Sequence, residues 1–207
     1  MKILSHRGFW ENNNQKNSLF SFKNTIECGF GTETDIRDHN KNLVISHDVS
    51  NGKNINIDDV LRMFSEEDLF LALNIKSDGL QELLIEKIEK FNISNYFVFD
   101  MSIPDTIKYI NLGFNVYGRQ SEYELDTPFY DKITGIWLDC FNSIWYDRNL
   151  IDSHLKNNKN VCIVSSDLHG RNYLKHWDLL KSWNIHQRKN VFLCTDFPTK
   201  ANSFFKI

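Results

Sequence analysis

The sequence predicts an α/β protein with a (β/α)₈ TIM-barrel fold, and two observations carry this prediction. Short apolar runs typical of strands alternate with longer stretches typical of helices along all 207 residues. Polar and charged residues follow nearly every predicted strand, which is where a parallel barrel gathers its functional side chains. About 200 residues is the lower size limit for such a barrel, so we expect one compact domain over residues 1–207.

The predicted strands are brief and rich in branched and aromatic residues. A short additional run, Leu43–Ser46, lies between the second and third barrel strands. The eight barrel strands are predicted at Lys2–Ser5, Thr32–Ile36, Leu69–Ile75, Tyr96–Phe99, Phe114–Tyr117, Gly135–Leu138, Asn160–Val164 and Asn190–Cys194.

Between the strands, apolar residues recur at helical spacing. Asp78 and Ser102 are predicted as N-caps. A further helix is predicted around Ser121–Asp131, although Pro128 interrupts it. The other helices are predicted at Ser18–Cys28, Ile57–Phe64, Gly79–Phe91, Ile103–Leu112, Asp147–Asn157, Tyr173–Trp183 and Pro198–Phe205.

Composition excludes several classes of partner. The net charge is −3 and no block of Lys and Arg appears, so we expect no nucleic-acid partner. No apolar stretch is long enough for a membrane span, and the opening residues are too short a run for a signal peptide. The four cysteines are widely spaced without a C-x-x-C pair, which indicates core packing in a reduced, cytoplasmic protein.

Polar residues that share one face of a strand mark a candidate site. Glu33 and Asp35 are two positions apart and point to the same side, a geometry suited to holding one hard cation. Asn74 and Lys76 are related in the same way. A solvated edge strand is the alternative interpretation of the E-x-D pattern.

Two histidines follow other apolar runs, each next to a charged residue. His6 and His47 are candidates for acid–base work, because imidazole exchanges protons in both directions near neutral pH. The alternative is that each histidine is structural. Further substrate-binding candidates on loops predicted at the same end of the barrel are Arg119, His169 and Arg171.

Four short motifs occur in order within roughly the first 50 residues. They are Leu4-Ser5-His6-Arg7-Gly8, Asn17-Ser18-Leu19, Thr32-Glu33-Thr34-Asp35 and Leu43-Val44-Ile45-Ser46-His47-Asp48. With Leu73-Asn74-Ile75-Lys76 they resemble the opening signature of the glycerophosphodiester phosphodiesterases, relatives of the phosphatidylinositol-specific phospholipases C. The later Thr195-Asp196-Phe197-Pro198 resembles the family's closing T-D-x-P.

The resemblance implies a role for each matched residue. It makes His6 and His47 an acid–base pair; we assign His6 as the base and His47 as the acid, with the reverse assignment as the alternative. It makes Arg7 and Lys76 phosphate contacts. Its metal ligands correspond to Glu33, Asp35 and Asn74, which would hold one divalent cation, Mg²⁺ or Ca²⁺, with Mn²⁺ also suitable.

The chain departs from the family pattern in three places. Asn74 replaces a carboxylate ligand, and Lys16 stands where an acid is usual. Only nine residues separate Asp48 from Asp58, so the usual insertion that helps bind glycerol is absent. The two substitutions make the pocket less negative, and we therefore expect a substrate that carries an additional anionic group, such as a second phosphate or a carboxylate, with Lys16 among the substrate-binding residues. Alternatively, Lys16 pairs with a surface acid and Asn74 reflects a weakened enzyme.

These residues together predict a metal-dependent phosphoric diester hydrolase that acts on a small soluble phosphodiester, glycerophosphodiester-like and with an extra anionic group. The alternative is a cyclising lyase, or a non-catalytic member that binds a phosphorylated ligand on the same scaffold. A sugar-phosphate enzyme on the same barrel is disfavoured by the ordered H-R-G and H-D motifs.

Overall fold

Strands and helices alternate along most of the described chain. A computed structural model describes residues 1–206, over which nine strands and seven α-helices occur. The strands are β1 (Lys2–His6), β2 (Gly31–His39), β3 (Asn42–Ile45), β4 (Leu71–Ile75), β5 (Tyr96–Phe99), β6 (Tyr117–Gln120), β7 (Gly135–Leu138), β8 (Asn160–Val164) and β9 (Val191–Thr195). The helices are α1 (Leu19–Glu27), α2 (Ile57–Phe64), α3 (Gln81–Lys90), α4 (Ile103–Asn111), α5 (Arg148–Lys156), α6 (Tyr173–Ser182) and α7 (Pro198–Phe205).

The chain divides into two units. The terminal unit contains residues 1–6 and the chain from Tyr117 onward, and the middle unit is Arg7–Val116. In the terminal unit, five strands pair in parallel in the order β6, β7, β8, β9, β1. Strands β1, β7, β8 and β9 are largely buried, as expected when helices cover a parallel sheet, whereas β6 is only half buried.

In the middle unit, three strands pair in parallel in the order β5, β4, β2. The short strand β3 pairs antiparallel with the end of β2, with Ile45 opposite Ile36. Asp35 on β2 is paired with Asn74 on β4. The two units together contain the eight parallel strands, interleaved with helices, that the sequence predicts.

An aromatic cluster closes part of the apolar core of the terminal unit. Trp177 on α6 is 1% exposed, and its ring lies 4.4 Å from Tyr173 and 5.8 Å from Phe205 on α7. Its indole Nε1 donates to Ser165 Oγ at 2.9 Å, so the buried polar atom is satisfied. Such ring pairs contribute about 0.5–1.5 kcal/mol each beyond their buried area.

Two predictions about helices are wrong. The predicted N-cap Asp78 does not cap a helix, because α3 begins only at Gln81 and the Asp78 carboxylate instead accepts a hydrogen bond from Ser102 Oγ at 2.9 Å. Around Ser121–Asp131 there is a tight turn in place of the helix, with reciprocal backbone hydrogen bonds between Ser121 and Glu124. Ser102 does cap α4, as predicted, by accepting from the Asp105 amide.

The sixth strand is displaced toward the C-terminus by three residues. It was expected at Phe114–Tyr117 but runs over Tyr117–Gln120, so Arg119 lies inside the strand and not after it. Phe114 belongs to the end of α4 instead, because its amide donates to the Tyr109 carbonyl at 3.1 Å and its ring packs on Tyr109 and Tyr96 at 4.8 and 6.1 Å.

Core packing is confirmed for three of the four cysteines. Cys140, Cys162 and Cys194 are buried free thiols, whereas Cys28 at the end of α1 is exposed. Within residues 1–206, no helix combines the length and the apolar character that crossing a membrane requires.

Candidate active site

The H-R-G motif forms a strained turn that fixes Arg7. Arg7 has φ +60° and Gly8 has φ +86°. A Cβ on Gly8 would lie 2.3 Å from Ser21 Oγ, so only glycine fits there. The Arg7 amide donates to the Glu33 carbonyl at 2.9 Å, and the Gly8 amide donates to Thr32 Oγ1 at 3.0 Å. The turn is thereby attached to β2 directly beside the two predicted carboxylates.

Asp35 is the centre of the site in the middle unit. Its side chain is fully buried, and its Oδ2 lies 2.9 Å from Arg7 Nε. Its Oδ1 lies 3.4 Å from Lys76 Nζ. The side chains of Arg7 and Lys76 are 21% and 20% exposed, so each cation reaches the surface while its inner side faces the carboxylate. One buried negative charge therefore positions two cations.

Asn17 completes this arrangement, and the sequence assigned it no role. It has φ +55°, a left-handed conformation that asparagine tolerates better than most residues. Its Nδ2 donates to Asp35 Oδ2 at 2.8 Å, and its Oδ1 accepts from Thr34 Oγ1 at 2.8 Å. Its backbone amide donates to the Arg7 carbonyl at 2.9 Å. Asn17 thus connects the Arg7 turn with β2, and its place in the Asn17-Ser18 motif was the available signal.

The three predicted metal ligands lie on one face of neighbouring strands. Glu33 and Asp35 alternate on β2 and are 2% and 0% exposed. Asn74 is 8% exposed on β4 and occupies the position paired with Asp35. Its Oδ1 is buried and accepts no hydrogen bond from the described residues. An amide oxygen in that condition has capacity for a cation or a donor from a ligand.

The donor types of these three residues fit a hard divalent cation, because all of them offer oxygen. Within residues 1–206, no group of three His, Cys, Asp or Glu side chains is placed to hold a metal ion. That result agrees with the replacement of the third carboxylate by Asn74. The charges of Arg7 and Lys76 balance those of Glu33 and Asp35, so we expect the cation affinity to be modest.

His47 follows the β2–β3 hairpin, which brings it to the end of β2. The preceding residue, Ser46, donates its amide to the Asp35 carbonyl at 3.0 Å. The His47 side chain is 47% exposed, and its Nδ1 lies 2.8 Å from Asp48 Oδ1. The hydrogen bond from His47 lowers the pKa of Asp48, so this carboxylate is charged at neutral pH and favours the tautomer with a proton on Nδ1.

His6 lies at the end of β1 in the terminal unit. Its Nδ1 is 2.7 Å from Asp196 Oδ1, and the two side chains are 14% and 15% exposed. The Asp196 amide donates to Asp167 Oδ2 at 2.7 Å, and Thr195 Oγ1 donates to the same oxygen at 2.9 Å. The closing T-D-F-P motif therefore supplies the carboxylate that orients His6. Burial raises the pKa of Asp167.

The additional substrate-binding candidates lie in the terminal unit and make contacts within it. His169 Nε2 lies 2.6 Å from Asp139 Oδ1. Arg171 donates to the Cys140 carbonyl and lies 3.2 Å from its sulfur. Arg119 forms an ion pair with Glu124 in the turn that replaces the predicted helix. These contacts order the loops, and a role in substrate binding stays a prediction for all three residues.

Comparison with known proteins gives matches at the level of structure. No family model matches the chain, and no curated protein matches its sequence. A solved structure of a candidate glycerophosphodiester phosphodiesterase from Galdieria sulphuraria is similar at a TM-score of 0.78 and 16% identity, covering 100% of this chain and 98% of that one. The glycerophosphodiester phosphodiesterase from Agrobacterium tumefaciens str. C58 is similar at a TM-score of 0.75 and 12% identity, with 100% of both chains covered.

These likenesses confirm the predicted fold class, since they span the whole chain with high structural similarity. The protein has a (β/α)₈ TIM-barrel-like fold. The resemblance inferred from the opening motifs is confirmed at the level of fold, because both solved structures are described as proteins of that kind.

Proposed function

We propose that the protein is a metal-dependent phosphodiesterase that hydrolyses a small soluble phosphodiester of the glycerophosphodiester type. The observation that carries the proposal is the position of Arg7 and Lys76 on the two oxygens of buried Asp35. A phosphodiester is a poor electrophile, and its transition state gathers charge on the phosphoryl oxygens. Fixed cations that need no rearrangement stabilise such charge most effectively.

In this proposal Asp35 orients the cations and the phosphate binds on their exposed sides. Both cations keep about a fifth of their side-chain surface accessible while they contact Asp35. Asn17 limits the freedom of the same carboxylate through its hydrogen bond to Oδ2. The negative charge of the substrate would replace part of the attraction that holds Arg7 and Lys76 to Asp35.

Proton transfer is assigned to the two histidines as the motifs imply. His6 acts as the base toward the attacking water, and His47 protonates the leaving alcohol. Each has a carboxylate on Nδ1, Asp196 for His6 and Asp48 for His47, which favours Nε2 as the nitrogen that exchanges the proton. The retention of both carboxylate-oriented histidines favours an enzyme over a non-catalytic binding protein.

The proposed metal ligands are Glu33, Asp35 and Asn74, and Mg²⁺ or Ca²⁺ suits their oxygen donors better than a softer metal. A bound divalent cation would supply further positive charge to the phosphoryl oxygens. Dependence on Mn²⁺ is compatible with the same donors.

The test is a screen of purified protein against glycerophosphodiesters, with p-nitrophenyl phosphate as a monoester control, in Mg²⁺, Ca²⁺, Mn²⁺ or EDTA. We expect cleavage of diesters only, with loss of activity in EDTA. Identification of the phosphorus product by ³¹P NMR separates hydrolysis, which gives a monoester, from cyclisation, which gives a cyclic diester. Absence of diester cleavage with every metal would overturn the proposal.

A further inference from the structure

An open cavity lies beside the phosphate contacts of the middle unit. Its volume is about 510 Å³, within the range of pockets that hold small molecules. Arg7 and His47 line it, so it adjoins the groups to which phosphate binding and proton donation are assigned. Lys16 and Lys53 line it from two different chain segments. The predicted metal ligand Asn74 is not among its lining residues.

We infer that this cavity binds the leaving alcohol of the substrate, and that the alcohol carries a second anionic group held by Lys16 and Lys53. The inference rests on the proposed function, and it deepens that function by naming the class of alcohol. The second group is a phosphate or a carboxylate, and hydroxyl groups lie between it and the diester.

The first wall is the segment that precedes α1. A single 3-10 turn, Asn13–Gln15, is closed by the Gln15 side chain, whose Oε1 accepts from the amides of Glu11 and Asn12. Lys16 follows this turn, and its Nζ lies 4.3 Å from the centre of the Trp10 ring. The Trp10 ring holds the Lys16 side chain at this wall by a cation–π contact.

The second wall is the loop that connects β3 to α2 and takes the place of the usual family insertion. It is ordered by its own side chains, because Asn51 Oδ1 accepts from the Lys53 amide at 3.1 Å and Ser50 Oγ donates to Asn54 Oδ1 at 2.8 Å. Lys53 makes no ion pair with any residue of the described chain. Its charge is therefore available to a ligand.

The chemistry of the lining selects the ligand. Three cations, Arg7, Lys16 and Lys53, face the cavity together with one carboxylate, Asp48, and the charge of Arg7 is already shared with Asp35. Lys53 makes no ion pair with the described residues, and its positive charge favours an anion beyond the scissile phosphate. The wall also carries the amide side chains of Asn13, Asn14, Asn51 and Asn54. Amides both donate and accept hydrogen bonds, which suits hydroxyl groups more than an acyl chain or an aromatic ring.

The cavity also indicates that Asn74 and Lys16 have different roles. The missing charge at Asn74 and the added charge at Lys16 were both linked to an anionic substrate. Asn74 is buried in the β2–β4 sheet, whereas Lys16 faces the open cavity. The structure therefore assigns the second anion to Lys16 and Lys53, and it leaves Asn74 to the proposed metal site.

The experiment uses three diesters that share glycerol phosphate and differ in the second alcohol. That alcohol is glycerol, glycerol with a terminal phosphate, or glyceric acid. We expect at least one charged diester to be cleaved with a higher kcat/KM than the neutral diester. Lys16→Gln and Lys53→Gln should each lower that value by about tenfold, the effect of losing one charge-assisted hydrogen bond. Lys53→Arg should retain the higher kcat/KM for the charged diester. In all three variants, kcat/KM for the neutral diester should change by less than about twofold.

Lys41→Gln is the matched control, because Lys41 is exposed in the β2–β3 turn of the same unit and does not line the cavity. A readout without turnover is calorimetric binding of glycerol 1,3-bisphosphate and 3-phosphoglycerate against glycerol 3-phosphate. The subsite is supported if the wild type binds glycerol 1,3-bisphosphate or 3-phosphoglycerate more tightly than glycerol 3-phosphate and Lys53→Gln loses this preference. If this preference is observed but no diester is cleaved, only the proposed function is contradicted. Equal cleavage of all three diesters, or a preference that survives Lys53→Gln, overturns the subsite and leaves the proposed function intact.

Discussion

Arg7 Nε lies 2.9 Å from Oδ2 of Asp35, whose side chain is completely buried. The two residues are 28 positions apart in sequence, and the Arg7 turn is attached to β2 by the hydrogen bond from its amide to the Glu33 carbonyl. Lys76 approaches the other oxygen of the same carboxylate. The relationship makes Asp35 more than a candidate metal ligand, because it also positions the two cations proposed to bind phosphate.

Asp35→Asn should therefore remove activity and stability together. The amide is close in shape but no longer attracts Arg7 and Lys76, so we expect kcat/KM to fall by at least about 100-fold. The free energy of unfolding should fall by about 1–3 kcal/mol, since both partners are partly exposed and can turn toward water. Urea unfolding and steady-state kinetics measure the two effects.

Asp38→Asn is the control for that experiment, because Asp38 lies on the same strand and is exposed, with Ser77 Oγ as its hydrogen-bond partner. It should leave kcat/KM within about twofold of the wild-type value. Wild-type kinetics in Asp35→Asn would show that Asp35 neither binds the metal nor positions the cations.

The two histidines are expected to act on kcat. Replacement of His6 or His47 by alanine should lower kcat by about 10²–10⁴-fold, the usual cost of losing a general acid or base. A leaving group that needs no proton, p-nitrophenol, should restore much of the rate in His47→Ala and none in His6→Ala. Rescue of the opposite variant would reverse the assignment of base and acid, and unchanged kcat in either would remove that histidine from the mechanism.

The sequence predicted the fold well because the spacing of apolar residues and the polar residues that follow the strands are local signals. Strands Tyr96–Phe99, Gly135–Leu138 and Asn160–Val164 and helix Ile57–Phe64 have the predicted bounds. The errors arose where tertiary contacts override local pattern. Phe114 has strand propensity but belongs to the end of α4 and packs on Tyr109, and the strand begins three residues later.

The candidate site was predictable in residue type and only partly in role. The motifs indicated Arg7, Asp35 and Lys76, but spacing alone gives no information about an ion pair between residues far apart in sequence. Asn17 lies within one of the motifs, yet its role in connecting the Arg7 turn with β2 depends on a left-handed backbone and on two hydrogen bonds to β2. Lys53 carried no sequence signal, because its proposed role depends on a loop that lines the same cavity as Lys16.

Asn74 provides the test of the proposed metal site. Asn74→Glu restores a carboxylate at the position paired with Asp35, so we expect the Mg²⁺ concentration for half-maximal activity to fall by about tenfold or more. Asn74→Ala removes the buried oxygen and should raise that concentration. Metal binding is measured directly by calorimetry with Mg²⁺ or Mn²⁺, without substrate.

The same variant checks the division of roles between Asn74 and the cavity. Since the second anion is assigned to Lys16 and Lys53, Asn74→Glu should change kcat/KM for charged and neutral diesters by the same factor. If kcat/KM falls for the charged diester alone, the second anionic group binds near Asn74 instead. Unaltered metal affinity in both Asn74 variants would exclude Asn74 as a ligand.

A buried histidine predicts how stability depends on pH. His176 is fully buried and lies between Tyr146, whose hydroxyl is 2.7 Å from Nε2, and Ser166, whose Oγ is 3.0 Å from Nδ1. Burial first and the nearby Arg171 second lower the pKa of His176 from 6.5 to about 4. Its folded-state pKa is depressed, so the unfolded chain takes up a proton at a higher pH than the folded protein does.

The stabilisation from neutral His176 is therefore complete above pH 6.5, declines as pH falls from 6.5 to about 4, and is lost below that range. The full difference corresponds to about 3 kcal/mol of unfolding free energy. Carboxylates with lowered pKa, such as Asp58, act only below about pH 4. The interval from pH 7 to 5 therefore reports on histidines and on Asp167, whose pKa is raised by burial and whose effect has the opposite sign. His154, whose pKa is also lowered by burial, adds to the same slope.

Urea unfolding at pH 7, 6 and 5 measures this slope in the wild type, His176→Gln and His154→Gln. Glutamine cannot titrate, so His176→Gln should be less stable than the wild type at pH 7 but should lose much less stability on going to pH 5. His154→Gln separates the contribution of His154, and the double variant should keep a weaker dependence on pH over this interval, because burial also lowers the pKa of His186. If the wild type keeps its full unfolding free energy at pH 5, or if His176→Gln loses as much of it as the wild type does, His176 does not control the acid sensitivity of the fold.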